Sequence, residues 1–454
     1  MPSLRVSVGA ASPPPGSLFS RLFSSGEELD ESASNGLLMA AADGLRVVDL
    51  HRPKALNALN ADMVATLLPL LQDWQQPGGD VKMVVFRGSG PRAFCAGGDI
   101  RFLRDCALGT DGLTVAMAES FFRNEYTMNH TLGTMTEPIG VSICDGIVMG
   151  GGVGLSVHGK VRIATENTLF AMPETGIGFF PDVGGTYFLP RLPGGMAVGV
   201  FLGLTGARLT GRDAFTAGVA THFVPSSRLE QMEGILAELA RQALLRGEET
   251  EQESRRSEAD AAPSLLSSTL NKALQSLDQI DGESTTAAPS FLQTRAGEIE
   301  HCFGGANLTV SEIVARVEEL AASQEAAGEH PHRVGKENGG NPAESSSSFD
   351  PGAGWAMAAA KELRNASPTS LAVTLSALRR GADLPSLGAC LEMEYRIAQR
   401  FLRCPDMAAG INAVLTRTRD GLAWGAPPAE GSDELEEYFT DVYGGGLDLG
   451  KEQQ

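Results

Sequence analysis

"PIGVSICDGIVMGGGVGLSV", Pro138 to Val157, decides the fold class. Its first half is strand-like, with β-branched residues closed off by glycine. Its second half places Gly150, Gly151 and Gly152 where a helix is expected to start. The same pattern of short apolar strands and helical or glycine-led segments fills Gly44 to about Phe223. "GLRVVDL" (Gly44–Leu50) and "VKMVVFRG" (Val81–Gly88) read as strands, while "ALNADMVATLLPLLQDW" (Ala58–Trp74) and "GLTVAMAESFFRNEYTMNH" (Gly112–His130) are amphipathic at helical spacing. "VRIATENTLFAMPE" (Val161–Glu174) reads as a short pair of strands. Strand, helix and strand in succession imply an α/β layer fold.

The glycines also suggest chemistry. "AFCAGGDI" (Ala93–Ile100) follows a strand and carries Gly97 and Gly98, as the opening stretch carries Gly150 to Gly152. Glycine lets a ligand approach the backbone closely, and a helix N-terminus offers N–H donors and a favourable dipole. Two such donors meeting at one point would form an oxyanion hole, a large contribution in acyl chemistry. The alternative is tight turns packed for steric reasons alone.

Between Ala171 and Pro190, "AMPETGIGFFPDVGGTYFLP", Glu174 and Asp182 stand eight residues apart in an apolar, glycine-rich run. With "FAMP" and "GIGFFP" around them, a solvated face is a poor explanation. A partly desolvated acid suits general-base or nucleophilic work.

The chain has 454 residues and a formal net charge of -20. That charge repels phosphate backbones and anionic membrane surfaces, so no nucleic-acid or membrane partner is expected. Six scattered cysteines with no C-x-x-C pair imply a reduced compartment and no structural zinc. No apolar run approaches the roughly 20 residues that cross a bilayer.

Composition divides the chain. The first 26 residues hold Arg5, Arg21 and no acid, the bias of an organelle transit peptide, and "SRLFSS" resembles a mitochondrial processing site. Residues 1–35 are therefore read as a transit peptide or disordered leader and 36–240 as the α/β core. Residues 241–322 read as a helical extension with an acidic, serine-rich start, 323–354 as a disordered insertion, 355–430 as a C-terminal helical region and 431–454 as a tail. The insertion has almost no large apolar residue with which to offset the entropy of ordering.

Several catalytic templates fail. "GLSVHGKV" (Gly154–Val161) nearly matches a P-loop, but Val161 has no hydroxyl for Mg²⁺ and the segment runs into a strand. "GGGVGLSV" lacks the last glycine of a dinucleotide fingerprint and a suitably placed acid beyond it. No G-x-S-x-G elbow occurs.

Taken in order, "HRPKALNALNADM", "RAFCAGGDI", "GIVMGGGVGLSV", "FAMPETGIGFFPDVGGTYFLPRL" and "LTGARLTGRDAFTAGVATHFV" resemble the crotonase (enoyl-CoA hydratase/isomerase) superfamily. The likeness covers His51 to Val224 almost without interruption. "CFGGANLTVSEIVARVEEL", "SPTSLAVTL" and "LEMEYRIAQRFL" extend it, and resemble the 3-hydroxyisobutyryl-CoA hydrolase branch of valine breakdown. The resemblance implies a crotonase-like ββα superhelix with a C-terminal helical region, and an acyl-CoA substrate with no separate cofactor, since CoA is part of that substrate. It places the oxyanion-binding N–H groups at Gly98 and Gly151, and a CoA cradle at Arg52, Pro53, Lys54 and Ala55 with Ala93, Ala96 and Gly97. Lys54 would bring positive charge to the CoA phosphates, or is an ordinary surface lysine.

By the same resemblance Glu174 is the catalytic carboxylate, and Glu125 lies near the substrate or is a solvated helix acid; Asp182, acceptor-only when ionised, would accept a hydrogen bond from the substrate's 3-hydroxyl. Hydratases carry a second glutamate where this chain has Gly154, which argues against a simple hydratase. The implied activity is hydrolysis of 3-hydroxyisobutyryl-CoA in the mitochondrial matrix. An enoyl- or dienoyl-CoA isomerase and a non-catalytic acyl-CoA-binding protein are the rival readings. Self-association through the C-terminal helices, common in the superfamily, stays open, as does the choice between Glu174 as general base and as nucleophile.

Overall fold

Leu45 and Val47, Met83 and Val85, Ile139, Val141 and Ile143, and Val161 and Ile163 are buried together in one apolar cluster. Each set takes alternate positions of one strand, the spacing that puts side chains on one face of a sheet. The computed structural model describes residues 29–30, 35–253, 265–278, 290–328, 354–441 and 446–449. Most of the expected leader, part of the acidic serine-rich stretch and most of the expected insertion lie outside them. At the insertion's near edge the helix Val310–Ala326 continues through Ser323.

Numbered along the chain, the strands are β1 (Leu29–Asp30), β2 (Leu37–Ala42), β3 (Leu45–Leu50), β4 (Met83–Gly88), β5 (Ala93–Cys95), β6 (Ile139–Cys144), β7 (Ile147–Met149), β8 (Val161–Ala164), β9 (Leu169–Ala171), β10 (Leu209–Thr210) and β11 (His222–Phe223). The chain falls into two units that alternate along the sequence. The first draws on Met1–Gly97, Thr131–Thr168 and Ala214–Ala288, the second on Gly98–His130, Leu169–Asp213 and Pro289–Gln454.

The first unit is built on a sheet of order β1-β2-β3-β4-β6-β8-β11. Its strands run parallel from β3 onward, and β1 to β3 are antiparallel. Register aligns the apolar rows: Val47 pairs with Val85, Val85 with Val141 and Val141 with Val161. Over that face lie Met232, Leu236 and Ala240 of the helix Leu229–Glu253, and Leu270 and Leu274 of the helix Leu265–Asp278. Their four-residue spacing turns one side of each helix to the sheet. Each such aliphatic side chain contributes roughly 1.5–3 kcal/mol on full burial. Beside this sheet, β5 and β7 pair in parallel.

The second unit is mainly helical. It contains Ile100–Leu108, most of Val115–Thr134, Gly195–Thr205 and a C-terminal set that includes Pro368–Asp383, Leu387–Phe401 and Pro405–Thr416. Serine oxygens of Ser367 and Ser386 accept the backbone N–H three residues on and start two of these helices. The helix Gly195–Thr205 is buried all round, and Phe201 meets Phe303 and Trp355 edge-on at 5.4 and 5.5 Å.

Candidate active site

In the first unit, the segment after β3 turns back beside β5. Pro53–Ala55 forms an exposed 3₁₀ turn that carries Lys54 and Ala55. Leu56 and Asn57 then take left-handed φ values of 52° and 57°. Asparagine tolerates that region better than most residues, and here its side chain ties the loop down. Asn57 Oδ1 accepts from the Arg52 N–H at 3.0 Å, and Asn57 Nδ2 donates to the carbonyls of Ser89 at 3.0 Å and Ala93 at 2.8 Å. The Ala96 N–H donates to Leu56 O, and the Leu59 N–H to Gly97 O. The structure thus brings Lys54 and Ala55 into one loop system with Ala93, Ala96 and Gly97.

Gly97 has φ +114°, open to glycine and rarely to other residues. A Cβ there would stand 3.9 Å from the Gly151 nitrogen. Gly151 opens the short helix Gly151–Ser156. At Gly152 a Cβ would fall 2.3 Å from Cys95 O, so the glycine run lets this helix lie directly against β5. Steric fit, weighed above as an alternative, therefore accounts for Gly152. Gly154 is buried in the same helix, where no carboxylate side chain stands.

Gly98 begins the second unit, and a Cβ there would lie 3.6 Å from the Phe121 ring. This unit also holds Glu125, Glu174 and Asp182, all buried. Glu174 opens the 3₁₀ turn Glu174–Ile177. That turn is fastened from the C-terminal part of the chain: Ser367 N–H donates to Thr175 O at 3.1 Å, and Gly178 packs so closely that a Cβ would meet Asp406 O at 2.4 Å. Apolar rings wall the region. Phe122 stacks on Phe179 at 5.5 Å, Phe179 meets Phe180 at 4.8 Å, and Phe180 stacks on Phe401 at 5.7 Å.

Burial governs the acids' protonation. Glu174 is held well above the usual carboxylate range, first by desolvation and then by the charge of Asp182. Glu125 is raised well above its ordinary value by the same two causes, and the titrations of Glu125 and Asp182 are linked. Asp182 is pushed up to about 7 by desolvation, which the Tyr126 hydrogen bond partly offsets. One oxygen each of Glu125 and Glu174 has no hydrogen-bond partner among the described residues. Buried polar atoms are seldom left so, and both oxygens suit a ligand group or a water. Asp182, raised to about 7, can take up and release a proton near neutral pH.

Two members of this cluster escape sequence reading. Tyr126 donates to Asp182 Oδ2 at 2.7 Å. Glu394, fully buried on the helix Leu387–Phe401, accepts from Gly184 and Thr186. Tyr126 adjoins Glu125 in "NEYTMN", the only local hint. Among the described residues no group of side chains is arranged to hold a metal ion, and no helix is long and apolar enough to cross a membrane.

Comparison with known proteins agrees with this architecture. The enoyl-CoA hydratase/isomerase family model matches residues 45–437. The chain is 37% identical over 398 residues to the mitochondrial 3-hydroxyisobutyryl-CoA hydrolase of Dictyostelium discoideum, covering 87% of each chain. It is 36% identical to the human protein of the same name, covering 87% of this chain and 85% of that one. Among solved structures, a carnitinyl-CoA dehydratase from Mycobacterium thermoresistibile superposes with TM-score 0.66 at 32% identity, over 92% of this chain and 99% of the other. An enoyl-CoA hydratase from Rhodobacter sphaeroides gives 0.65 at 30% identity, over 90% and 98%. The fold is the crotonase-like α/β fold with an added C-terminal helical region. The chain belongs to the enoyl-CoA hydratase/isomerase family.

Proposed function

We propose that the protein hydrolyses 3-hydroxyisobutyryl-CoA to 3-hydroxyisobutyrate and free CoA. The observation that carries this reading is the buried group of Glu174, Asp182 and Glu125 within an aromatic wall, together with Gly154 where hydratases of the family have an acid. The names of the relatives point the same way.

In this reading Glu174 acts on the thioester carbonyl. As general base it takes a proton from water, whose oxygen adds to the carbonyl carbon, and the thiolate leaves as the C–S bond breaks. As nucleophile it forms a mixed anhydride that water then cleaves. Both routes develop negative charge on the thioester oxygen, which by family resemblance falls to the N–H groups of Gly98 and Gly151. Asp182, when ionised, accepts the substrate's 3-hydroxyl. Glu125 borders the acyl group, and the Lys54–Ala55 loop with Ala93, Ala96 and Gly97 takes the CoA moiety. The reaction needs no further cofactor. The relatives carry "mitochondrial" in their names, which supports placing this chain in the matrix.

The test is thiol release from 3-hydroxyisobutyryl-CoA, isobutyryl-CoA and crotonyl-CoA by the protein and its Glu174→Gln and Asp182→Asn variants. Fast release from the hydroxylated thioester, abolished by the first change and weakened by the second, is the expected result. Crotonyl-CoA hydrated with no thiol released would replace the hydrolase with a hydratase.

A further inference from the structure

Asp182 sits on a turn that its own residues do not favour. Val183 has φ +52° and Gly184 φ +84°. Glycine enters that left-handed region freely, but a β-branched residue rarely does. The turn runs into the short helix Gly185–Phe188, and the N–H groups at such a start have no partner within their own helix.

Glu394 supplies those partners from more than 200 positions away. Its Oε2 accepts the Gly184 N–H at 2.7 Å, and its Oε1 accepts the Thr186 N–H at 2.9 Å and the Thr186 hydroxyl at 2.6 Å. A carboxylate so placed caps the turn as an N-cap side chain would. The next residue, Tyr395, serves the other half of the acid cluster. Arg123, on the Glu125 helix, donates to its hydroxyl at 2.9 Å, and the Tyr126 ring meets its ring edge-on at 6.4 Å. One turn of the helix Leu387–Phe401 thus braces both the Asp182 turn and the helix of Glu125 and Tyr126.

We propose that Glu394 is a positioning residue that fixes the 183–186 turn, keeps Asp182 beside Tyr126, and so sets how strongly the enzyme prefers 3-hydroxyacyl thioesters to unhydroxylated ones. The proposal rests on the hydrolase reading above. It makes substrate preference depend on a C-terminal helix that contributes none of the acids named for the reaction. The buried glutamate acts through the turn, and the substrate's hydroxyl is its indirect readout.

The experiment compares kcat/KM for 3-hydroxyisobutyryl-CoA and isobutyryl-CoA in the full-length wild type, Glu394→Gln, Asp182→Asn and the double variant. Gln keeps one acceptor oxygen and turns the other into a donor facing an N–H, so the turn loses a hold. The ratio of the two kcat/KM values should fall about tenfold in Glu394→Gln, the scale of a buried hydrogen-bonding group left unpaired. In the Asp182→Asn background the same change should leave the ratio where Asp182→Asn put it. Equal losses on both thioesters, or effects on the ratio that multiply, would make Glu394 a structural residue only. Thr186→Val removes just the hydroxyl donor and should move the ratio the same way by a smaller factor; it decides the matter should Glu394→Gln not fold. A wild type that releases no thiol would overturn the hydrolase reading instead. Calorimetric affinities of the same proteins for the two thioesters then decide the role of Glu394.

Discussion

Tyr126 and Asp182 are 56 positions apart, and the buried phenol donates its hydrogen to Asp182 Oδ2 at 2.7 Å. This bond favours the ionised carboxylate against a desolvation that has already moved Asp182 to about 7. Without the donor, the acid titrates higher still. In Tyr126→Phe the acid limb of the kcat/KM profile for 3-hydroxyisobutyryl-CoA should therefore move to higher pH, with the largest loss of activity below neutrality. The check is the full profile from pH 5.5 to 9.5, and a limb that stays in place would disprove the link.

Asp182→Asn should shift a limb the opposite way. After desolvation, the charge of Asp182 is what holds Glu174 above the usual range. An amide removes that charge, so Glu174 ionises at lower pH, and the remaining activity should persist into more acidic solution. The variant should also lose on the order of 10-fold or more in kcat/KM, because a buried charge-assisted hydrogen bond contributes about 1.5–3 kcal/mol. Profiles of the two variants displaced in the same direction would contradict this account.

The two acids of "PETGIGFFPD" were legible because charges among aromatic and glycine residues have no solvated face to occupy. Glu394 was not. It lies two positions from Glu392 in an amphipathic helix, and nothing local marks which of the two turns inward; only the packed structure shows Glu394 fully buried while Glu392 is partly exposed. The same holds for the asparagines of "ALNALN". Asn60 accepts from Met63 N–H and starts a helix, as a sequence pattern suggests. Asn57 reaches residues more than 30 positions on, a relation set by the sheet and invisible to spacing. Strands β3, β4 and β6 were readable from their apolar content, whereas the pairing order that skips from β4 to β6 follows from tertiary contacts.

Asn57 leads to a separate prediction. Asn57→Ala leaves the Ser89 and Ala93 carbonyls and the Arg52 N–H without their side-chain partner. The loop after β3 should loosen, costing roughly 1–3 kcal/mol for a buried group left unpaired. Because this loop is assigned to the CoA moiety and not to the acyl carbonyl, KM should rise several-fold while kcat changes little. A fall in kcat at constant KM would show that the loop acts on the chemistry instead.

The raised acids also fix how stability varies with pH. Asp182 ionises near 3.8 in an unfolded chain and near 7 when folded, Glu394 near 4.5 and near 8. Below the unfolded values both states hold their protons and the folded state has its full advantage. As pH rises the unfolded chain releases protons first, so stability is lost progressively until the folded groups titrate as well. Each pKa unit corresponds to about 1.4 kcal/mol, so these two groups together weaken the fold by several kcal/mol, as an order of magnitude, between about pH 4 and 8. The Tm should therefore drop from pH 5.5 to pH 8.5, and drop less in Asp182→Asn, whose amide has no proton to lose. Melting curves of both proteins at the two pH values make the comparison. An equal drop in both would mean that Asp182 is not the acid whose burial the fold sustains by keeping it protonated.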